Sequence, residues 1–420
     1  MSLVEVRATH LSLPRCLASF LLAGLVFAPS CAKPLHPGMQ GSGGAAGGYP
    51  GGATGGVTSR GGIVGAGGAA GAGGVLATGG ATGTGGVAEC AAGRSLLTLA
   101  SGRQDVWPGI AVDSANVYWT EHPSWIPRLP GEGNGQVMKA PLRGGAPTTL
   151  ASDQDFPSNI LADGTSVYWT TWSMGSGGEL FMMGNASIMR ASPDGSKTSA
   201  VLSVELYPER LPVYGEIAVD ASSVYWAYEG KVDDDYVDGA VLAVSLADGS
   251  ATTLASGQQR PYRVAADASS VYFVNRGPTS NDRRDISLNK VPLHGGPVTA
   301  LDVGSASHVD IALDATNIYW CSQSDGTVMK LPLGAGAPVT IASGQSYPTW
   351  IAVDATSVYW SNSGDATLMK VALDGRTPET LCTGLSIDGL AIDATSIYWV
   401  SGGTSAGDYK DGTVMRLTPK

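Results

Sequence analysis

Histidine, cysteine and charge are scarce in this chain. Five His and five Cys are spread over 420 residues, Phe is equally rare, and charged side chains make up only 15%. Of the histidines, only His122, His294 and His308 lie beyond residue 90, too few and too dispersed for an acid–base or metal-ligating constellation to be read from spacing. The basic side chains number 25 against 36 acidic, a formal net charge of −11. Beyond residue 90 the balance is 21 basic to 34 acidic, with no basic stripe that could displace counterions from a phosphate backbone, so nucleic-acid partners are excluded. No apolar run reaches the length of a transmembrane helix. No nucleophile elbow or phosphate loop is present either.

The longest apolar run, Leu17 to Ala28, follows Arg7 and Arg15 and is too short to span a bilayer, so residues 1–32 read as an export signal and the mature protein as extracytoplasmic. The run ends in Ala28-Pro-Ser-Cys31, which resembles the lipobox of bacterial lipoproteins, although Pro29 departs from that pattern. The resemblance implies lipidation at Cys31 and a membrane contact through that anchor alone. Ordinary cleavage beside Ser30 or Ala32 would give a free secreted protein instead.

Glycine is what the chain has in excess. From Gly41 to Gly86, 22 of 46 residues are Gly. A segment of this composition cannot bury enough surface to offset the entropy of ordering it, so residues 33–90 are expected to form a disordered tether with a reach on the order of 40 Å. Cys90, Cys321 and Cys382 remain for the folded part, without metal-ligand spacing. A Cys90–Cys382 disulfide would suit an oxidising compartment.

Residues 91–420 are organised by a unit that recurs seven times: Asp, three residues, Val or Ile, Tyr, then Trp or Phe. The leading residues are Asp113, Asp163, Asp220, Asp267, Asp314, Asp354 and Asp393, spaced 50, 57, 47, 47, 40 and 39 apart. Ile351 to Asp354, Val358 to Trp360, Thr367 to Leu373 and Glu379 to Leu381 read as four short strands, a to d, with Asp374-Gly375 as a hairpin signal between the last two. Four antiparallel strands repeated seven times predict an all-β, seven-bladed propeller. The last copy ends after its third strand. Leu96 to Ser101 matches a d strand and precedes the first copy, so it is predicted to complete the seventh blade with Leu385 to Leu417 and close the ring.

Val117-Tyr-Trp-Thr-Glu121, with Ile110-Ala-Val-Asp113 upstream and turns such as Leu373-Asp374-Gly375, resembles the YWTD repeat of low-density-lipoprotein-receptor propellers. The resemblance covers residues 95–420 and implies extracellular protein recognition. That family has six blades, and its final Asp is replaced here by Glu121, Thr171, Tyr228, Asn275, Ser322, Asn362 and Ser401, so its ligand contacts do not transfer. The layout is also similar to bacterial secreted and lipoprotein propellers.

The Tyr-Trp pairs are expected to pack between blades and the repeated Asp to cap a turn. Function is sought where the copies differ. The b–c loops are long in blades one to four, at 121–135, 171–186, 228–239 and 275–285, and short in five and six. The d–a loops carry Trp107, Phe156, Tyr207, Tyr262 and Tyr347 beside proline, with Trp350 nearby. These are either a rim that grips a glycan or peptide, or shields for the inner strands. Four residues before each repeat Asp stand Gly109, Asn159, Glu216, Arg263, Asp310, Trp350 and Gly389. Within this unequal ring Glu216, Arg263 and Asp310 are either ligand contacts or an internal salt-bridge cluster. Asp233, Asp235 and Asp238 could offer oxygens to calcium but lack the spacing of a calcium loop, so a solvated acidic loop and no cofactor are expected.

The sequence therefore favours a monomeric, non-catalytic recognition or scaffold module that binds an extracellular protein or glycan on the loop face. The rival is a secreted lyase or hydrolase working at the channel mouth around His308, Asp310, Glu216 and Arg263.

Overall fold

A computed structural model describes residues 88–420, apart from residues 105, 123–134, 173–183, 207–214, 231–237, 278–285, 304–307, 335, 376 and 405–409. All regular elements among the described residues are strands, and they form seven antiparallel sheets, the blades of a β-propeller. Blade one consists of Val106–Val112, Asn116–Glu121, Gly135–Pro141 and Thr148–Gln154, the strands a to d from the axis outward. The a strands of successive blades touch in order around the axis, and that of blade seven, Gly389–Ile392, returns to that of blade one.

The repeated Asp builds the a–b turn and also ties down the tyrosine. In blade one Asp113 Oδ1 accepts the backbone N–H groups of Ala115 and Asn116, both at 2.7 Å, while Oδ2 accepts the Tyr118 hydroxyl at 2.7 Å. Every blade repeats the tyrosine bond, from Tyr168 to Asp163 at 3.1 Å through Tyr225 to Asp220 at 2.6 Å to Tyr398 on Asp393 at 2.7 Å. Each carboxylate thus satisfies two turn amides and a hydroxyl that would otherwise be buried without a partner.

Alternation along strand b sends Tyr to one side of the sheet and its Val and Trp neighbours to the other. Tyr319 packs with Val358 and Trp360 of the next blade, and Tyr359 with Ile397 and Trp399. The circle closes where Tyr398 of blade seven meets Val117 and Trp119 of blade one. Trp119, Trp169, Trp226, Trp320, Trp360 and Trp399 are fully buried. The aromatic pairs are therefore the mortar between wedge-shaped blades.

Ring closure is made by Ser95–Arg103, which runs antiparallel to Gly412–Thr418 with Leu96 opposite Leu417 and Ser101 opposite Thr413. The N-terminal strand is thus the d strand of blade seven, longer at both ends than the predicted segment. A further two-residue strand, Glu89–Cys90, lies before residue 91 and adds a fifth strand to blade six, with Cys90 opposite Cys382. A disulfide joins these two residues, and Arg94 donates to Glu379 at 2.7 Å beside it. The bridge encloses 292 residues of sequence separation, a loop long enough to restrict the unfolded chain strongly. Cys321 is buried and free.

Candidate functional site

Seven short a strands leave a cavity of about 160 Å³ on the axis. All seven ring positions, Gly109, Asn159, Glu216, Arg263, Asp310, Trp350 and Gly389, line it, together with aliphatic neighbours such as Ile110, Ile160 and Ile217. A side chain at Gly109 would meet Thr120 Oγ1 at 3.2 Å and Ile160 Cγ2 at 3.3 Å, and one at Gly389 would meet Val400 Cγ2 at 3.2 Å. Blades one and seven therefore come close with no side chain at the ring, and its large polar groups come from blades two to six.

Arg263 organises that side. Its Nη1 donates to Glu216 Oε1 at 3.1 Å, and its Nε stands 3.6 Å from Asp310 Oδ1. The guanidinium carbon lies 4.7 Å from the centre of the Trp350 ring, within cation–π range. Each carboxylate is also held by backbone: Glu216 Oε2 accepts Val264 N–H at 3.3 Å, and Asp310 Oδ2 accepts Ile351 N–H at 3.0 Å. Three adjacent blades are thereby stitched to one another and to a fourth strand, Pro348–Val353.

The three charged side chains are only 24%, 13% and 10% exposed for Glu216, Arg263 and Asp310. Burial pushes the Asp310 carboxyl up to about 7, opposed by Arg263 and reinforced by the negative charge of Glu216. Burial also raises Glu216, again opposed by Arg263. Arg263 is shifted upward because the favourable field of both carboxylates exceeds its own cost of burial. Asp388, one residue before Gly389, adds a carboxyl that burial raises and Gly402 N–H holds at 2.8 Å.

The aromatic positions separate into different environments. Tyr347 is 59% exposed with φ at 54°, its carbonyl accepting Ser363 N–H at 3.0 Å. Trp350 lies under Arg263 and is half-buried. Phe156 stacks on Trp172 with centroids 4.2 Å apart and meets the His122 ring edge-on at 5.9 Å. His122 Nε2–H donates to the Pro157 carbonyl at 2.7 Å, and burial lowers its pKa to about 4, so it is neutral at physiological pH. Tyr262 is buried beneath Arg276, whose guanidinium carbon is 4.0 Å from the ring centre.

Trp107 and His308 lie in strands Val106–Val112 and His308–Leu313, and their side chains fall outside the described residues. Tyr207, Asp233, Asp235 and most of the four long b–c loops fall outside them too, whereas Asp238 is exposed. The export signal and Cys31 precede the described residues. The sequence marks His122 only as one of three scattered histidines, and it gives no sign of Trp172 or Asp388. Trp172 ends the strand Val167–Trp172, the other two lie in separate loops, and no repeated spacing marks them.

No protein-family model matches the chain, and neither does any curated protein. Among solved structures, the chain is similar to a streptogramin B lyase structure with a TM-score of 0.53 and 12% identity, covering 78% of this chain and 98% of the other. It is also similar to an oligogalacturonate lyase from Vibrio parahaemolyticus, with a TM-score of 0.54, 11% identity, and coverage of 77% and 93%. A nidogen/laminin complex matches at a TM-score of 0.43 and 15% identity over 60% of this chain and 92% of the other. At these identities the first two likenesses speak to the fold alone, so function has to be argued from the site.

Proposed function

We propose that this chain is a non-catalytic recognition module, exported from the cytoplasm and either lipid-anchored at Cys31 or secreted, that binds an extracellular protein or glycan on the face carrying the d–a loops. The observation that carries this reading is the Glu216–Arg263–Asp310–Trp350 cluster in the axial cavity. Its charged groups hold one another and the backbone in fixed positions, which suits orientation and selectivity in a binding pocket. Tyr347 offers an exposed aromatic surface on the same side of blade six, of the kind that anchors interfaces.

The test is retention of the full chain on a glycan array and on a panel of extracellular proteins, comparing wild type with a Tyr347→Ala, Trp350→Ala double variant. Retention of wild type and at least about tenfold weaker binding by a folded double variant are expected. Equal retention of the two overturns the rim as the binding surface.

A second reading, a lyase or hydrolase at the channel mouth, is favoured by the placement of two carboxyls, Asp310 and Glu216, on either side of Arg263 in the axial cavity, where burial raises both, as suits a general acid. Turnover of a candidate substrate that disappears in both Asp310→Asn and Glu216→Gln would replace the recognition reading.

A further inference from the structure

The lining of the axial cavity has an unequal charge count. Glu216 and Asp310 both face Arg263, so two carboxylates surround one guanidinium among the described lining residues. A second cation entering the cavity would complete an alternating arrangement of charge. It would also draw both carboxylates into their ionised forms, which burial alone opposes.

The shape and the remaining lining narrow the cation further. The rest of the lining is largely aliphatic and includes Ile110, Ile160, Ile217, Ile311, Ile351 and Leu390. An unbranched apolar stem with a charged head therefore fits better than a polar ring. About 160 Å³ admits such a stem with a few waters. A planar guanidinium seeks a carboxylate fork and an aromatic face. Here Arg263 already takes both, with Glu216 on its Nη1 and the Trp350 ring under its plane. A compact ammonium, with three donors and no plane, can use the outer lone pairs of the same carboxylates. The acidic excess of the folded part, 34 acidic against 21 basic side chains, would draw in a basic partner.

From this, and resting on the recognition reading above, we infer that the axial cavity receives the side chain of a lysine presented by a partner polypeptide. The ammonium sits against the cavity side of the Glu216 and Asp310 carboxylates, beside the Arg263 that links them, and the methylene stem lies along the aliphatic part of the lining.

Binding of small amides to the full chain, followed by calorimetry or NMR, tests this without a variant. N-acetyl-lysine methylamide is expected to bind at least about tenfold more tightly than its uncharged counterpart N-acetyl-norleucine methylamide. Glucosamine supplies the ammonium of a glycan and is expected to bind more weakly than the lysine amide. A Glu216→Gln, Asp310→Asn double variant, checked for an unchanged circular-dichroism spectrum, should lose the lysine preference and leave norleucine binding as it was. Equal binding of lysine and norleucine amides, or of neither, overturns the inference whatever the variant does. Tighter binding of glucosamine overturns the polypeptide as the source of the amine. The recognition reading is judged separately, by the array and the Tyr347/Trp350 variant, and it survives a failed lysine titration if retention on a neutral partner depends on those two residues.

Discussion

Two rings of side chains circle the same axis and obey opposite rules. The outer one, Asp, Tyr and Trp at the blade interfaces, is nearly identical in seven copies, with every tyrosine hydroxyl on its own Asp and every Trp or Phe buried against the preceding blade. The inner one, four residues before each Asp, has glycine in blades seven and one and Asn, Glu, Arg, Asp and Trp in two to six. Seven equal blades could be closed by seven equal inner residues. A ring that departs from the symmetry of its own scaffold, and places charges in a cavity where each costs desolvation, is shaped by something other than folding.

The largest effect should come from breaking the closure that both rings depend on. Deletion of residues 88–103 removes the d strand of blade seven and the disulfide to Cys382 together, exposing the edge of Gly412–Thr418. Thermal melting followed by circular dichroism should lose its cooperative transition, and a melt like that of wild type would show that the ring does not need this seam. Next in size is the outer ring. Trp360→Ala should cost about 3–5 kcal/mol in denaturant unfolding, the range for emptying a buried aromatic site. By contrast, Trp226→Phe should cost about 1 kcal/mol or less, because Trp226 Nε1 is buried with no hydrogen-bond partner among the described residues and Phe273 fills the corresponding place in blade four. If Trp226→Phe proves as damaging as Trp360→Ala, the outer ring is not the interchangeable mortar its repetition implies.

Repetition also decides what could be read beforehand. Blade number, strand order and the use of Leu96 to Ser101 as the missing strand were legible because each is a pattern seen several times or a gap in one. The tyrosine–aspartate bond was within reach, since the two residues are always five apart, yet the sequence suggests only a turn cap. It takes the pairing of strands a and b to bring Tyr118 back over Asp113. The inner positions were legible as places, because they keep a fixed offset from the repeat. Their wiring was not, since Arg263 bonding Glu216 across 47 residues and approaching Asp310 across another 47 depends on the angle between blades. The stack of Phe156 on Trp172 beside His122 was illegible for the same reason: three unrepeated residues meet through loop conformation, including φ of 39° at Phe156.

The effect that separates the rings most cleanly is smaller than that of emptying an aromatic site and depends on pH. The Asp310 carboxyl sits at about 7 in the folded chain against an ordinary 3.8, so between these values the folded state holds a proton that the unfolded state has released. Stability from this group is therefore complete below about 4 and is lost as pH rises through 7. The groups facing it reinforce or leave that sign unchanged. Glu216 is raised in the same direction, Arg263 stays charged, and Tyr262 and Cys321 are both shifted upward and remain neutral. The outer-ring carboxylates behave in the reverse way: Asp163, Asp220 and Asp314 are lowered by their turn and tyrosine bonds, and their contribution is lost only as pH falls below the ordinary range. Asp310→Asn keeps the shape and fixes the neutral form. Its stability relative to wild type should therefore rise between pH 5 and pH 8, by an amount on the order of a few kcal/mol or less, measured as the difference in urea midpoints. Parallel profiles for the two proteins would mean that Asp310 is already ionised at pH 5 and that the inner ring carries its charge as cheaply as the outer one does.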